Sequence, residues 1–221
     1  MHFGHRNPCS NYTINGSQLT STTNIRDLGV TISDTGRVSA HCNKVAGSAR
    51  RLTGLMFRTF HSRKPSVVIP LLKTIIRPIV EYATPVWSPC LVKDIAEIEG
   101  IQRKVTKRIS GMHNLSYPER LQRLGLPTLE ARRKYFDLLE CYKIVHGLIR
   151  SDCRAALTLS SCNTRGFQTK LACNLPTPRL NVRKHFFIER VLPIWNALPT
   201  EVVAQETFST FKRAVRTHLG V

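Results

Sequence analysis

Three sets of cations have a spacing suited to chemistry. Lys44, Arg51 and Arg58 recur every seven residues. On a helix rising 1.5 Å per residue they would stand about 10 Å apart along one face. Arg103, Lys104, Lys107 and Arg108 place four cations within six residues, and Arg132, Arg133 and Lys134 are consecutive. Ammonium and guanidinium groups held in a row can meet successive phosphates of a polyanion. The competing reading is a solvated helix face. For the Lys44 row alone, spacing does not choose between the two.

Other chemistries find less support. Two-metal catalysis needs carboxylates on neighbouring strands. The aspartates are Asp27, Asp34, Asp94, Asp137 and Asp152; none stands beside another, and no Tyr-x-Asp-Asp run occurs. No catalytic residue is therefore assigned. Cys153, Cys162, Cys173 and His185 are separated by 8, 10 and 11 residues. They lack the close Cys-x-x-Cys pair that fixes a zinc knuckle, so no metal site is assigned. Cys90 or Cys141 with His146 has no spacing that would make a nucleophile and base. Trp87 could stack on a base, but a tryptophan between prolines more often wedges into a core, and Trp195 reads the same way.

The whole composition leans in the same direction as the cation sets. Of 221 residues, 33 are Lys or Arg and 14 are Asp or Glu, a net charge of +19. So lopsided a balance opposes compaction unless a polyanion offsets it, and it favours nucleic acid ahead of an acidic membrane surface. The excess is uneven. Residues 38–110 carry 13 basic and 4 acidic side chains, close to half the net charge. A hydrophobic share of 42% supports a sizeable core. No apolar run follows Met1, and the longest apolar zone, Val67 to Val80, is broken by Pro70, Lys73, Arg77 and Pro78. Secretion and membrane insertion are therefore not expected, and the seven cysteines read as reduced thiols of nucleus or cytoplasm.

The elements that must carry the cations follow from periodicity. Asn15-Gly16 supplies the positive φ of a hairpin turn, and Ile25 to Ile32 reads as one further strand, with His2 to Gly4 as an earlier strand-like piece. Val45, Ala49, Leu52, Met56 and Phe60 share one helical face. Pro65 opens a helix in which Val67, Val68, Ile69, Leu71, Leu72, Ile75 and Ile76 are apolar nearly all round, which predicts a central position. A turn punctuated by Pro78, Pro85 and Pro89 follows, and then a helix from Val92 to Arg108. Its acids lie early and its bases late, an order that suits the macrodipole, although four cations exceed what the dipole asks for. Ser116-Tyr117-Pro118-Glu119 is a capping box, Gly125 a stop, and Thr128 the cap of a helix whose apolar face runs through Tyr135, Leu139 and Tyr142. From Ser151 the texture is loop-like, closed by Pro176 and Pro178. Two last helices gather Phe186, Phe187, Val191, Ile194 and Trp195, then Phe208, Phe211, Val215 and Leu219.

The segments IRDLGVTIS (25–33), RPIVEYATPVWSP (77–89), IEGIQRKVTKRI (98–109), LSYPERLQRLGLPTLEARRKYFDLLECYKIVHGL (115–148) and NVRKHFFIERVLPIWNALP (181–199) occur in this order. Together they resemble the part that follows the catalytic palm in reverse transcriptases of jockey-like non-LTR retrotransposons (LINE elements). The resemblance spans nearly the whole chain. It implies a mainly α fold: a truncated β-hairpin region over 1–36 beside a palm absent from this chain, a basic thumb-like helical bundle over 37–150, a linker over 151–180, and a C-terminal helical piece over 181–221. It further implies a nucleic-acid-binding fragment of an RNA-directed DNA polymerase that holds RNA template and nascent DNA without catalysing. The partners would be RNA, RNA–DNA duplex and the palm of a longer product, with no cofactor in this chain, since Mg²⁺ would belong to that palm. An inactive remnant of a mobile element, or an interaction module reused by a host, are the alternatives.

Overall fold

The computed structural model describes residues 1–4, 7–159 and 170–221. It is mainly helical, with small antiparallel ribbons. Strands β1 (Thr13–Ile14) and β2 (Ser17–Gln18) flank Asn15 and Gly16, both at positive φ, as the Asn-Gly pair predicts. The expected single strand over 25–32 is instead a hairpin. Strand β3 (Asn24–Asp27) pairs with β4 (Val30–Ser33) around Leu28 and Gly29, at φ 44° and 88°. A leucine at positive φ is strained, and something must hold it. The Tyr82 hydroxyl does so, donating to the Leu28 carbonyl at 3.0 Å, and its ring leaves a Cβ at Gly29 only 3.4 Å of room. Residues 2–4 do not form the strand that the sequence suggests.

Helix α1 (Ser39–Thr59) buries Cys42, Val45, Ala46, Ala49, Met56 and Phe57, while Phe60 lies outside on the surface. Helix α2 (Pro65–Leu71) runs through a wide π-turn (Leu72–Ile76) into α3 (Arg77–Glu81). Pro70 and Pro78 both lack an N–H, and the chain between them relaxes so that Arg77 N–H reaches back five residues to Leu72. This segment is not surrounded by protein, contrary to its all-round apolar pattern. Of its apolar residues only the stripe Val68, Leu72, Ile76 and Val80 is buried, and Val67, Ile69, Leu71 and Ile75 stay half-exposed. Ala83, at φ 51°, turns the chain into α4 (Thr84–Trp87). Trp87 is buried there, its indole N–H donating to the Tyr82 carbonyl at 2.6 Å.

Helix α5 (Val92–Lys107) packs along α1. Helix α6 (Tyr117–Leu124) starts in the expected capping box, with Ser116 N–H donating to the Glu119 carboxylate at 2.7 Å, and stops at Gly125 in the left-handed conformation. Helix α7 (Leu129–Val145) is capped by Thr128, whose hydroxyl accepts from Ala131 N–H at 3.0 Å. The stretch after Ser151 is not wholly loop. Helix α8 (Cys153–Ala156) leads into β5 (Leu157–Leu159), which pairs with β6 (Leu171–Cys173). Helices α9 (Phe187–Asn196), α10 (Thr200–Val203) and α11 (Phe208–Leu219) close the fold.

Two cores result. One joins Val30 and α1 to α5, α6 and the first residue of α7, ending at Leu129. The other is built on Tyr135, Leu138, Leu139 and Tyr142 of α7 with Leu157, Leu171, Val191, Trp195, Phe211 and Val215. Phe211 stacks on Tyr142 at 4.3 Å between centroids. Helix α7 thus belongs to both bodies, and the change of core falls inside it rather than near residue 150.

Candidate nucleic-acid interface

Helices α1 and α5 run side by side in the same direction. At one end the Ser39 hydroxyl donates to Asp94 at 2.6 Å; midway Arg50 pairs with Glu97; at the other end Arg108 lies 5.0 Å from the centre of the Phe57 ring. Both C-termini therefore converge. The loops beyond them are tied together by Ser110 N–H donating to the Arg63 carbonyl at 2.9 Å. Arg58 from α1, Lys104, Lys107 and Arg108 from α5, and Arg63 and Lys64 from the loop meet at this end. All but the half-buried Arg63 are exposed.

Phe57 organises the end. Arg63 lies 4.6 Å and Arg108 5.0 Å from its ring centre, both within cation–π range. Arg63 also donates to the Phe57 carbonyl at 2.9 Å and to the Phe60 carbonyl, closing α1. On the other side of α5, Arg103 lies over Tyr117 at 4.9 Å. The buried Arg120 fastens the same helix end from below, donating to Thr106 Oγ1 at 3.3 Å and to the carbonyls of Leu115 and Arg103 at 2.6 and 3.4 Å. Gln102 donates to the Pro127 carbonyl at 2.8 Å, and Glu99 accepts Leu129 N–H at the start of α7. A rigid polar frame thus underlies the exposed cations.

The ten cations singled out in the sequence divide into three groups. Arg58, Lys104, Lys107 and Arg108 come together at the shared helix end, with Arg103 around the shoulder. Lys44 and Arg51 are exposed on α1, but Lys44 stands fourteen residues before Arg58, about 21 Å along the helix, so the row extends away from the cluster. Arg132, Arg133 and Lys134 do not share one free surface, and their reading as a joint set of phosphate contacts is corrected: Lys134 alone is exposed. Arg132 grips Glu81 through two bonds, Arg133 is 3% exposed, and Lys134 pairs with Glu130 at 2.9 Å. Consecutive residues on a helix point about 100° apart, so a run of three cannot share a face. Arg63 and Lys64 escaped the sequence reading. Their signal was the absence of any carboxylate between Asp34 and Glu81, a stretch with nine cations.

No cation of the cluster makes an ion pair among the described residues. Arg50–Glu97 lies midway along the same two helices, and the pairs of Arg132 and Arg77 with Glu81 and of Arg190 with Asp137 lie elsewhere. Asp137 is 2% exposed, and burial pushes its carboxyl up against the pull of Arg190. As for metal, the described residues hold no group of three or more His, Cys, Asp or Glu side chains placed to bind an ion; Cys162 lies outside the described residues. Among the described residues no helix is long and apolar enough to cross a membrane. The chain matches no family model, no curated protein and no solved structure.

Proposed function

We propose that this chain binds nucleic acid at the converged ends of α1 and α5, through phosphates and with little preference for sequence. The observation that carries the reading is the cluster itself: exposed Arg58, Lys64, Lys104, Lys107 and Arg108, without a carboxylate partner among the described residues, on a frame locked by Arg120 and Gln102. Two helix C-termini attract cations, each worth about 0.3–1 kcal/mol. That effect accounts for one or two cations, and the cluster holds more. Phosphate binding accounts for the rest.

The five ordered segments support a more specific form of the reading. The chain would be the post-palm segment of a non-LTR retrotransposon reverse transcriptase, holding RNA template and nascent DNA beside a palm made of other residues. On this reading its own carboxylates are structural: Asp94 accepts from Ser39, and Asp137 is held by Arg190. The test pairs two assays on the purified chain. Fluorescence anisotropy should show binding to an RNA–DNA duplex that weakens steeply with salt, while primer extension on an RNA template with Mg²⁺ or Mn²⁺ should yield no product. Absent or salt-insensitive binding would overturn the first part, and nucleotide incorporation would overturn the second.

A further inference from the structure

A cavity of about 170 Å³ lies between the Ser88–Cys90 link, the first half of α7 and α9. Arg133 lines it. This residue is 3% exposed and its guanidinium makes no hydrogen bond to another described residue; its Nη1 is sealed from solvent. This is unusual, because buried guanidinium groups are almost always bonded. The carboxylates near enough to offset the charge are Glu99, Glu130 and Asp137. Each is committed elsewhere: Glu99 to Leu129 N–H and Tyr117, Glu130 to Lys134, and Asp137 to both nitrogens of the Arg190 fork. Field without bonds leaves the Arg133 side chain, with an unpartnered Nη1, on the wall of a space large enough for several waters or one small oxyanion.

The charges on the cavity wall agree. Arg133, Lys134 and Arg190 oppose Glu130 and Asp137 there, an excess of one cation, and His185 also lines the cavity. Once the Lys134–Glu130 and Arg190–Asp137 pairs are set aside, Arg133 is the cation left on the wall, unbonded, with the charge of Glu99 acting on it only through space. We propose that this cavity is a binding site for a single oxyanion of the phosphate class, seated on the Arg133 guanidinium. Its planar fork suits two parallel bonds to such a group. The site is distinct from the cation cluster and does not depend on it. The oxyanion has two possible sources, free phosphate or the terminal phosphate of a strand.

The test is calorimetric titration of the whole chain with inorganic phosphate, with chloride replaced so that ionic strength stays constant. The expected result is saturable one-site binding. It should persist in the Lys104→Gln/Lys107→Gln/Arg108→Gln variant and weaken at least about tenfold in Arg133→Met, which removes the charge-assisted bonds. Should Arg133→Met not fold, Ile194→Phe closes the cavity from α9 with the guanidinium intact, and it should abolish the same isotherm. A 5′-phosphorylated oligonucleotide that displaces phosphate where its 5′-hydroxyl counterpart does not assigns the site to a strand end. Failure of both to displace it assigns the site to the free anion. No saturable binding, binding that survives the cavity variants, or binding lost with the cluster would each overturn the proposal.

Discussion

Arg108 and Arg190 are the same residue type in two different parts of the molecule. Arg190, on α9, forks onto Asp137 of α7 at 2.9 and 2.8 Å and also donates to the Pro85 carbonyl of the α4 turn. Three elements far apart in sequence are joined by one guanidinium. Arg108 touches the face of Phe57 and no carboxylate, beside Lys104, Lys107 and Arg58. Net charge counts both residues alike. Their partners separate them: a cation that has found a buried acid builds the fold, and one that has not is available to a ligand.

Substitution tells the two kinds of arginine apart. The largest effect belongs to the seam. Arg190→Ala takes from Asp137, which is 2% exposed, the guanidinium bonded to both its oxygens, and should cost about 3–5 kcal/mol, because a buried carboxylate loses its hydrogen-bonded cation. Urea denaturation reads it; a loss well under about 1 kcal/mol would mean that the seam is not held by this pair. Arg108→Ala should cost no more than about 1 kcal/mol, the worth of one cation–π contact, while weakening duplex binding. A loss of stability equal to that of Arg190→Ala would place Arg108 in the structural class.

A subtler test concerns the N-terminal hairpin. The His41 Nδ1 accepts Thr31 N–H at 3.1 Å and so must be unprotonated, which fixes β4 on α1. Burial first, then the charges of Lys44 and Arg26, push its pKa below the ordinary value of 6.5. The folded state therefore binds fewer protons than the unfolded state in that range. The stabilisation is complete above pH 6.5 and is lost as pH falls from there through the lowered folded-state pKa. The protection factor of the Thr31 amide, its rate relative to an unprotected amide at the same pH, should fall over that interval in the wild type and stay flat in His41→Asn. A wild-type protection factor that does not change with pH would exclude the histidine as the cause.

Much of the bundle was legible because its signals are local. The capping box at Ser116, the cap at Thr128, the stop at Gly125 and the Asn15-Gly16 turn each depend on neighbours within a few residues. The periods that marked α1, α5 and α7 are equally local. What was not legible depended on distance. The Leu28-Gly29 turn is stabilised by Tyr82, 54 residues after Leu28, and nothing in a leucine announces positive φ. The pairing of Leu157–Leu159 with Leu171–Cys173 involves two three-residue strands, too short to show alternation. The cation site divides in the same way. The density of charge late in α5 was readable, but the fate of Arg132 and Arg133 was decided by Glu81 and by a helix face turned inward.

Duplex binding is proposed to sit at the converged ends of α1 and α5 and not to follow from overall charge alone. The direct test compares two variants that each remove three exposed cations: Lys104→Gln/Lys107→Gln/Arg108→Gln at the helix ends, and Lys212→Gln/Arg213→Gln/Arg216→Gln on α11. RNA–DNA duplex affinity is measured by anisotropy across a salt series. In the first variant the log–log slope should flatten by about 0.9 for each phosphate no longer neutralised, somewhat less on single strands, and in the second it should stay at the wild-type value. Equal flattening in both, or an unchanged slope in a normally folded first variant, would contradict the located interface.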